Sequence, residues 1–535
     1  MSEQRPGFRK LLPLIIPTLL IVPILLALGT AVRANPDLYV DIDDECGGIL
    51  PCYTTIQAAV NLAGDGDTIY VFPGTYDESV DLSDMNPDGN ITLVTVDSKG
   101  SPTPGTVTVS STSGVHSEFY TDDPFDGDIT IDGFNVHSAL PGIDVHVEGT
   151  GDDNHNVVIR RVTATNINDH GIKVTADGNV TVDECTASNN GASGIYVWDT
   201  DGDVEISDCT ANANQGTGST NAGISVVNLG GGLTVSDCDA SDNANHGIFA
   251  WNVVGTVTLS NCTANDNDSN GILVQDAAGN VSMSNVTANG NGSAGFVVVA
   301  EADVTFEHCT ARGNDEYGYC TAGVSGTLTL DSSVAQASDH GAFFYHIGTA
   351  GPMSANGSVI CDNTTDGLTV AVGSGPTADA EGNWWGCAGG PGSPGCDTVV
   401  AAGGAVVDHD PWIDTITASA DPAHPRFGEQ SVINFRFYGY SDPDWVYLGE
   451  GPGDLHGTRP FTVTTTDGTL TDSDETGSTV HEFILGASGV LSVTFVPDSL
   501  GTAMVTLDGP CGLDMGLPLE VETYWVYVPL VMRNY

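Results

Sequence analysis

A glycine preceding an apolar residue returns at nearly constant spacing through the middle of this chain, and few folds tolerate such a period. The glycines are Gly171, Gly194, Gly223, Gly247, Gly271, Gly295, Gly318, Gly341 and Gly367, in steps of 23, 29, 24, 24, 24, 23, 23 and 26 residues. Two further columns keep the same beat. One holds Cys185, Cys209, Cys238, Cys262 and Cys309, with Val286 filling a gap. The other holds Asn190, Asn214, Asn243, Asn267, Asn291 and Asn314, and Asn363 extends it. Short alternating runs such as Val180-Thr181-Val182 and Val257-Thr258-Leu259 read as half-buried strands, and the turns between them leave no room for helices. Strands of three to five residues at this period coil into a solenoid, in which each coil pairs with the next and like residues stack. An Asn column suits that geometry, because stacked amides bond from coil to coil and Asn tolerates left-handed turns.

The flanks carry a second signal. Residues 53–60 read as a short amphipathic helix capped by a Thr, followed by the turn Asp65-Gly66-Asp67, a strand over 68–72 and Pro73-Gly74-Thr75-Tyr76. Asn383-Trp384-Trp385-Gly386, Gly390-Pro391 and Asp410-Pro411-Trp412 close the repeats. The opening from Thr55 to Tyr76 resembles that of the pectin-lyase-like superfamily, particularly its periplasmic copper-processing and bacterial surface β-helix group. The closing residues are similar to the end segment of the same group. The resemblance spans about residues 38 to 415. It implies an all-β chain whose main body, 38–413, is a right-handed parallel β-helix with three short strands per coil and an N-terminal capping helix. It implies no particular activity, since one fold hosts unrelated functions. After residue 413 the period disappears, and alternating runs near Val432, Leu491 and Ala503 predict a β-sandwich over 414–535, similar to immunoglobulin-like modules of bacterial surface proteins.

The N-terminus reads as an export signal over 1–34. Arg5, Arg9 and Lys10 precede an apolar stretch, and Val32-Arg33-Ala34 places cleavage after Ala34. A retained anchor is the alternative, although three prolines interrupt the stretch. No later run is long enough to span a membrane, the final 524–532 included, so the expected location is secreted or at the cell surface. Cys46–Cys52 and Cys387–Cys396 are spaced to close small loops, whereas the five columnar cysteines read as a buried stack of small apolar groups.

The chain carries 13 Lys and Arg against 70 Asp and Glu, a formal charge of -57. That excludes nucleic acid as a partner, because binding a phosphate backbone needs clustered cations. It also disfavours anionic polymers unless cations bridge the two. Calcium is the cofactor such acidity suggests, and Asp199, Asp201 and Asp203 form the best candidate loop, though the downstream Glu of a complete calcium loop is missing. An ordinary Asp/Gly turn explains the same residues.

Catalytic signatures of the superfamily are not matched. Asp169-His170-Gly171 is accounted for by the repeat, and few Lys or Arg remain to act as a lyase base. Strand alternation points elsewhere. If Ile195/Val197 and Ile248/Ala250 face inward, then Tyr196/Trp198 and Phe249/Trp251 face out. These pairs lie two coils apart, roughly 10 Å at the strand spacing, which is near a disaccharide repeat. The favoured role is therefore non-catalytic binding of a polysaccharide or cell-surface glycan along Tyr196, Trp198, Phe249 and Trp251. Coverage of that stripe by a loop, the C-terminal module or a second subunit is the competing reading. A polysaccharide-degrading lyase or glycoside hydrolase, and a purely structural stalk, remain alternatives.

Overall fold

The computed structural model describes residues 37–521, apart from the internal segments 86–88, 111–118, 122–124, 138–139, 150–153, 347–350, 373–376, 411, 442–443, 448–460, 467–468, 472–479, 484–489, 509–510 and 512–514. The export signal 1–34, its cleavage point and the apolar tail 524–532 lie outside the described residues.

Within each coil the chain makes three sides. Successive coils pair in parallel to build one sheet of sixteen strands, a second of thirteen, and a third side of short strands and single bridges. Pairing is in register over the repeats, so Val180, Val204, Leu233 and Val257 stack in one column and Val182, Ile206, Val235 and Leu259 in another. All eight are buried, and their columns run on through the core of the solenoid. Burial of that apolar area is the main driving force for the fold, at about 25 cal/mol per Å².

The corners between sides need residues that accept positive φ. Glu184, Asp208, Asp237, Asn261 and Asn285 occupy one corner column at φ 50–54°. Asp199, Asn228, Asn252 and Asp276 occupy another at φ 48–57°. Asn and Asp dominate because their short polar side chains tolerate this region. Some of the chain's acidity is thus a consequence of its corners.

The buried Asn column forms the expected ladder. The backbone N–H and the Nδ2 of Asn214 both donate to Oδ1 of Asn243, at 2.9 and 3.0 Å. The motif repeats from Asn243 to Asn267, Asn267 to Asn291 and Asn291 to Asn314. It also explains the glycines: a Cβ at Gly223 or Gly271 would lie 2.7 Å from Nδ2 of Asn243 or Asn291. Farther on, Asn363 donates through Nδ2 to the buried carboxylate of Asp397 at 2.6 Å. Burial pushes the Asp397 carboxyl up to about 6.

The columnar cysteines are unpaired and buried, with the Cys185 N–H donating to Cys209 Sγ at 3.4 Å and the Cys209 N–H to Cys238 Sγ at 3.4 Å. Burial pushes the Cys309 thiol up to about 12, so it holds no thiolate to oxidise near neutrality. Cys46–Cys52 and Cys387–Cys396 are disulfides, as their spacing predicts. A third, Cys361–Cys511, joins residues 150 apart and had no signature in the sequence.

The helix Ile56–Val60, capped by the Thr55 side chain accepting from the Ala58 N–H, packs its apolar face on the first coils. The parallel strands end with Val406–Asp408. Trp412–Asp421 then opens two antiparallel sheets that form the C-terminal sandwich. Ile433, Phe435, Val463, Val493 and Phe495 bury there in one cluster with Val334, Val359 and Trp384 from the third side of the solenoid.

Two outcomes follow from the ladder. Asn243→Ala strands two donors of Asn214 in the core, and unfolding in urea should show a loss of about 2–3 kcal/mol, with faster exchange of the Asn214 amide. Asp397 is raised from 3.8 to about 6, so its contribution is full at low pH and is lost as pH rises through 6. Asp397→Asn should therefore gain stability over the parent progressively between pH 4 and 6, up to about 3 kcal/mol, when urea midpoints are compared across pH.

Candidate functional site

The outer face of the thirteen-strand sheet carries the residues singled out by alternation. Two outward columns run along it. The first is set by the register Asp144, Lys173, Tyr196, Ser225, Phe249, Leu273 and Val297. The second contains Trp198, Val227, Trp251 and Gln275. Every one of Tyr196, Trp198, Phe249 and Trp251 lies on this face, and the two pairs sit two coils apart.

Their exposure differs sharply. Trp198 is 38% exposed, Tyr196 and Trp251 are half-buried, and Phe249 is only 3% exposed. Phe249 therefore offers no ring face to a ligand and serves as packing, which corrects its place among the contact residues. Its cover comes partly from the long coil, whose 29-residue step inserts the segment 215–221. That segment is tied down by Ser225 Oγ donating to the Thr220 carbonyl at 2.7 Å, and by Asn245 Nδ2 donating to the carbonyls of Gly218 and Asn221 at 2.8 and 2.9 Å. Ala222, Val227 and Phe249, packed against Tyr196, Trp251 and Leu273, form a small outer core. Ser225 and Phe249 of the first column and Val227 of the second are buried there, while Trp198 and Gln275 stay exposed.

Hydrogen bonds fix the rim. The Trp251 Nε1–H donates to Asp276 Oδ2 at 2.8 Å, and Asn228 Nδ2 donates to Asp199 Oδ1 at 2.6 Å. Asn252 Nδ2 donates to Asn228 Oδ1 at 3.0 Å, so the corner column is itself laddered.

One end of the face is charged. Lys173 Nζ sits 3.0 Å from an Asp144 oxygen, directly beside Tyr196. His170 stacks on Tyr196 with ring centroids 4.6 Å apart, and its Nδ1 accepts from the Ser193 N–H at 3.1 Å. Burial lowers the pKa of His170. His246 repeats the arrangement over Phe249, with Nδ1 accepting from the Asn270 N–H at 3.3 Å, and burial pushes it down to about 4. In both, the accepting Nδ1 places the proton on Nε2. His340 differs, because its Nδ1 faces Asp366 Oδ2 at 2.9 Å. The three histidines stay in separate coils, but only His170 lies outside a strand; His246 and His340 are the first residues of theirs, which corrects their reading as turn residues.

The calcium candidates do not converge. Asp199 bonds within its corner, while Asp203 Oδ1 accepts from the Gly232 N–H at 2.7 Å on another side of the coil. Among the described residues the one grouping of three ligand-type side chains is Cys361, Asp362 and Cys511, and its two cysteines are joined as a disulfide.

A family model described as "Right handed beta helix region" matches residues 106–255 and 254–384, more than half of the chain. The chain belongs to the right-handed β-helix family. Among solved structures it is similar to a pectate lyase (17% identity, 54% of this chain and 74% of that one, TM-score 0.30). It is also similar to the A-module of an Azotobacter vinelandii mannuronan C-5 epimerase (14% identity, 67% and 94%, TM-score 0.39). A tailspike protein of an Escherichia coli O157:H7 bacteriophage aligns at 11% identity (91% and 69%, TM-score 0.29). No curated protein matches the sequence. In this β-helix no helix of the described residues is long and apolar enough to cross a membrane.

The loop over 215–221 and the partnership of Lys173 with Asp144 were not foreseen. The 29-residue step was the available signal for the first. For the second there was none, since Asp144 precedes the regular glycines.

His246 supplies a direct check on this face. Its ring should titrate near pH 4 by NMR, well below the ordinary imidazole value, because the buried neutral form is favoured. Its contribution to stability is full above 6.5 and is lost as pH falls through 4.

Proposed function

We propose that this protein is an exported or surface-displayed β-helix that binds a polysaccharide or cell-surface glycan along the outer face of its thirteen-strand sheet. The observation that carries the reading is the pair Trp198, exposed, and Trp251, half-buried and anchored through its Nε1–H to Asp276, two coils apart on one rigid face. Indoles held by neighbouring side chains and strand pairing present flat apolar surfaces at low entropic cost, which suits stacking on sugar rings. The strand spacing puts them roughly 10 Å apart along the solenoid axis. Tyr196 continues the surface toward the charged end, and Phe249 supports it from beneath.

A second reading, cleavage of the bound polymer, is favoured by one observation: Lys173, Asp144, the neutral His170 and Tyr196 are gathered at the end of the same face.

The test is a polysaccharide panel against mature protein, following binding and new chain ends together, with calcium and with chelator. Saturable binding without new ends is expected, and Trp198→Ala/Trp251→Ala should weaken it by roughly tenfold or more, from the ~25 cal/mol per Å² of ring face left unburied. New reducing or unsaturated ends that vanish in Lys173→Ala would favour cleavage. Binding unchanged in the Trp double variant would overturn the platform.

A further inference from the structure

We infer that the glycan taken by this face bears protonated amines, an amino-sugar polymer rather than a polyuronate. This rests on the glycan-platform reading and adds to it the chemical class of the ligand.

Charge complementarity at named atoms points to this class of ligand. Between residues 38 and 413 the chain has five Lys and Arg: Lys99, Arg160, Arg161, Lys173 and Arg312. Arg160 and Arg161 both bind the buried Asp132 carboxylate, at 2.7 and 2.5 Å, at the C-terminal ends of interior strands of the sixteen-strand sheet. Arg312 belongs to a short strand on the third side, and Lys99 to the turn formed by Asp97. Lys173 alone stands on the candidate face, and its charge is met by Asp144 at 3.0 Å. No uncommitted cation is left on the described part of this face to bind the carboxylates of a uronate chain.

Carboxylates, by contrast, stand beside both indoles. Asp199 follows Trp198 in sequence, and Asp276 holds the Trp251 Nε1–H. Both are exposed and sit in the same corner column. Each has one oxygen engaged by a neighbour, Asp199 Oδ1 by Asn228 and Asp276 Oδ2 by Trp251. Asp199 Oδ2 and Asp276 Oδ1 carry no protein hydrogen bond among the described residues. An ammonium group placed over an indole and against such an oxygen gains both cation–π attraction and a charge-assisted hydrogen bond. The indoles recur after two coils and the carboxylates after three, roughly 10 and 14 Å along the axis, so a polymer carrying amines along its length reaches both carboxylates.

The corner column also provides clean variants. Asn228 and Asn252 already occupy its left-handed positions, so Asp199→Asn/Asp276→Asn keeps the backbone and retains an acceptor for Trp251 while removing two charges.

The experiment compares a glucosamine hexasaccharide, its fully N-acetylated counterpart, a galacturonate hexasaccharide and oligolysine, by calorimetry in low and high salt without divalent ions. The amine form should bind on the order of tenfold tighter than the acetylated form at low salt. That gap should close in high salt and in Asp199→Asn/Asp276→Asn, with the acetylated form unaffected by the double substitution. Equal binding of the two hexosamines, lost in Trp198→Ala/Trp251→Ala, would overturn the charge inference and leave the platform standing. Binding of the galacturonate hexasaccharide would overturn it as well. Oligolysine binding with the same dependence would assign the face to basic peptides instead. Absence of binding by every sugar would overturn the platform itself.

Discussion

Everything in this molecule depends on one coil sitting on the next at the strand spacing of roughly 4.8 Å. That single repeat distance lets backbone pair with backbone on all three sides, and it forces each side chain onto its own kind in the neighbouring coil. The buried Asn column shows how tight the requirement is. From Asn243 to Asn314 each amide oxygen receives both the backbone N–H and the Nδ2 of the preceding Asn, and a Cβ on Gly223 or Gly271 would strike the Nδ2 of the column. Buried polar groups are costly unless fully bonded, so the ladder fixes register as well as contributing stability.

The same constraint shapes the surface. Three sharp corners per coil demand left-handed residues, and the chain supplies Asp and Asn there. Part of the acidic exterior follows from conformation before any question of ligand arises. Against that background the outer face of the thirteen-strand sheet is an exception, apolar and aromatic along much of its length. Its rings are not adrift: Trp251 is tied to Asp276, Tyr196 carries a stacked histidine, and Phe249 is sealed within a small outer core.

The solenoid, its capping helix, the Asn ladder and the buried cysteines were legible in the sequence because each repeats, and stacking turns repetition into contact. The outward aromatics were legible for the same reason, since alternation fixes which side of a strand a residue faces. What could not be read belongs to non-repeating contacts. Alternation gave Phe249 an outward direction but not its cover, which comes from an insertion folding back over Ser225 and Asn245. The Cys361–Cys511 bridge joins residues 150 apart, and nothing local in the sequence marks either partner. Asp199 and Asp203 look like one metal loop in sequence, yet the coil turns between them and commits them to different sides.

The most direct test of the account is crystallographic, with the glucosamine hexasaccharide bound to the mature protein. The account requires the sugar chain to run parallel to the solenoid axis, with rings stacked on Trp198 and Trp251 two coils apart and amines beside Asp199 and Asp276. Density for the sugar lying across the coils, or on any other side of the solenoid, would contradict it.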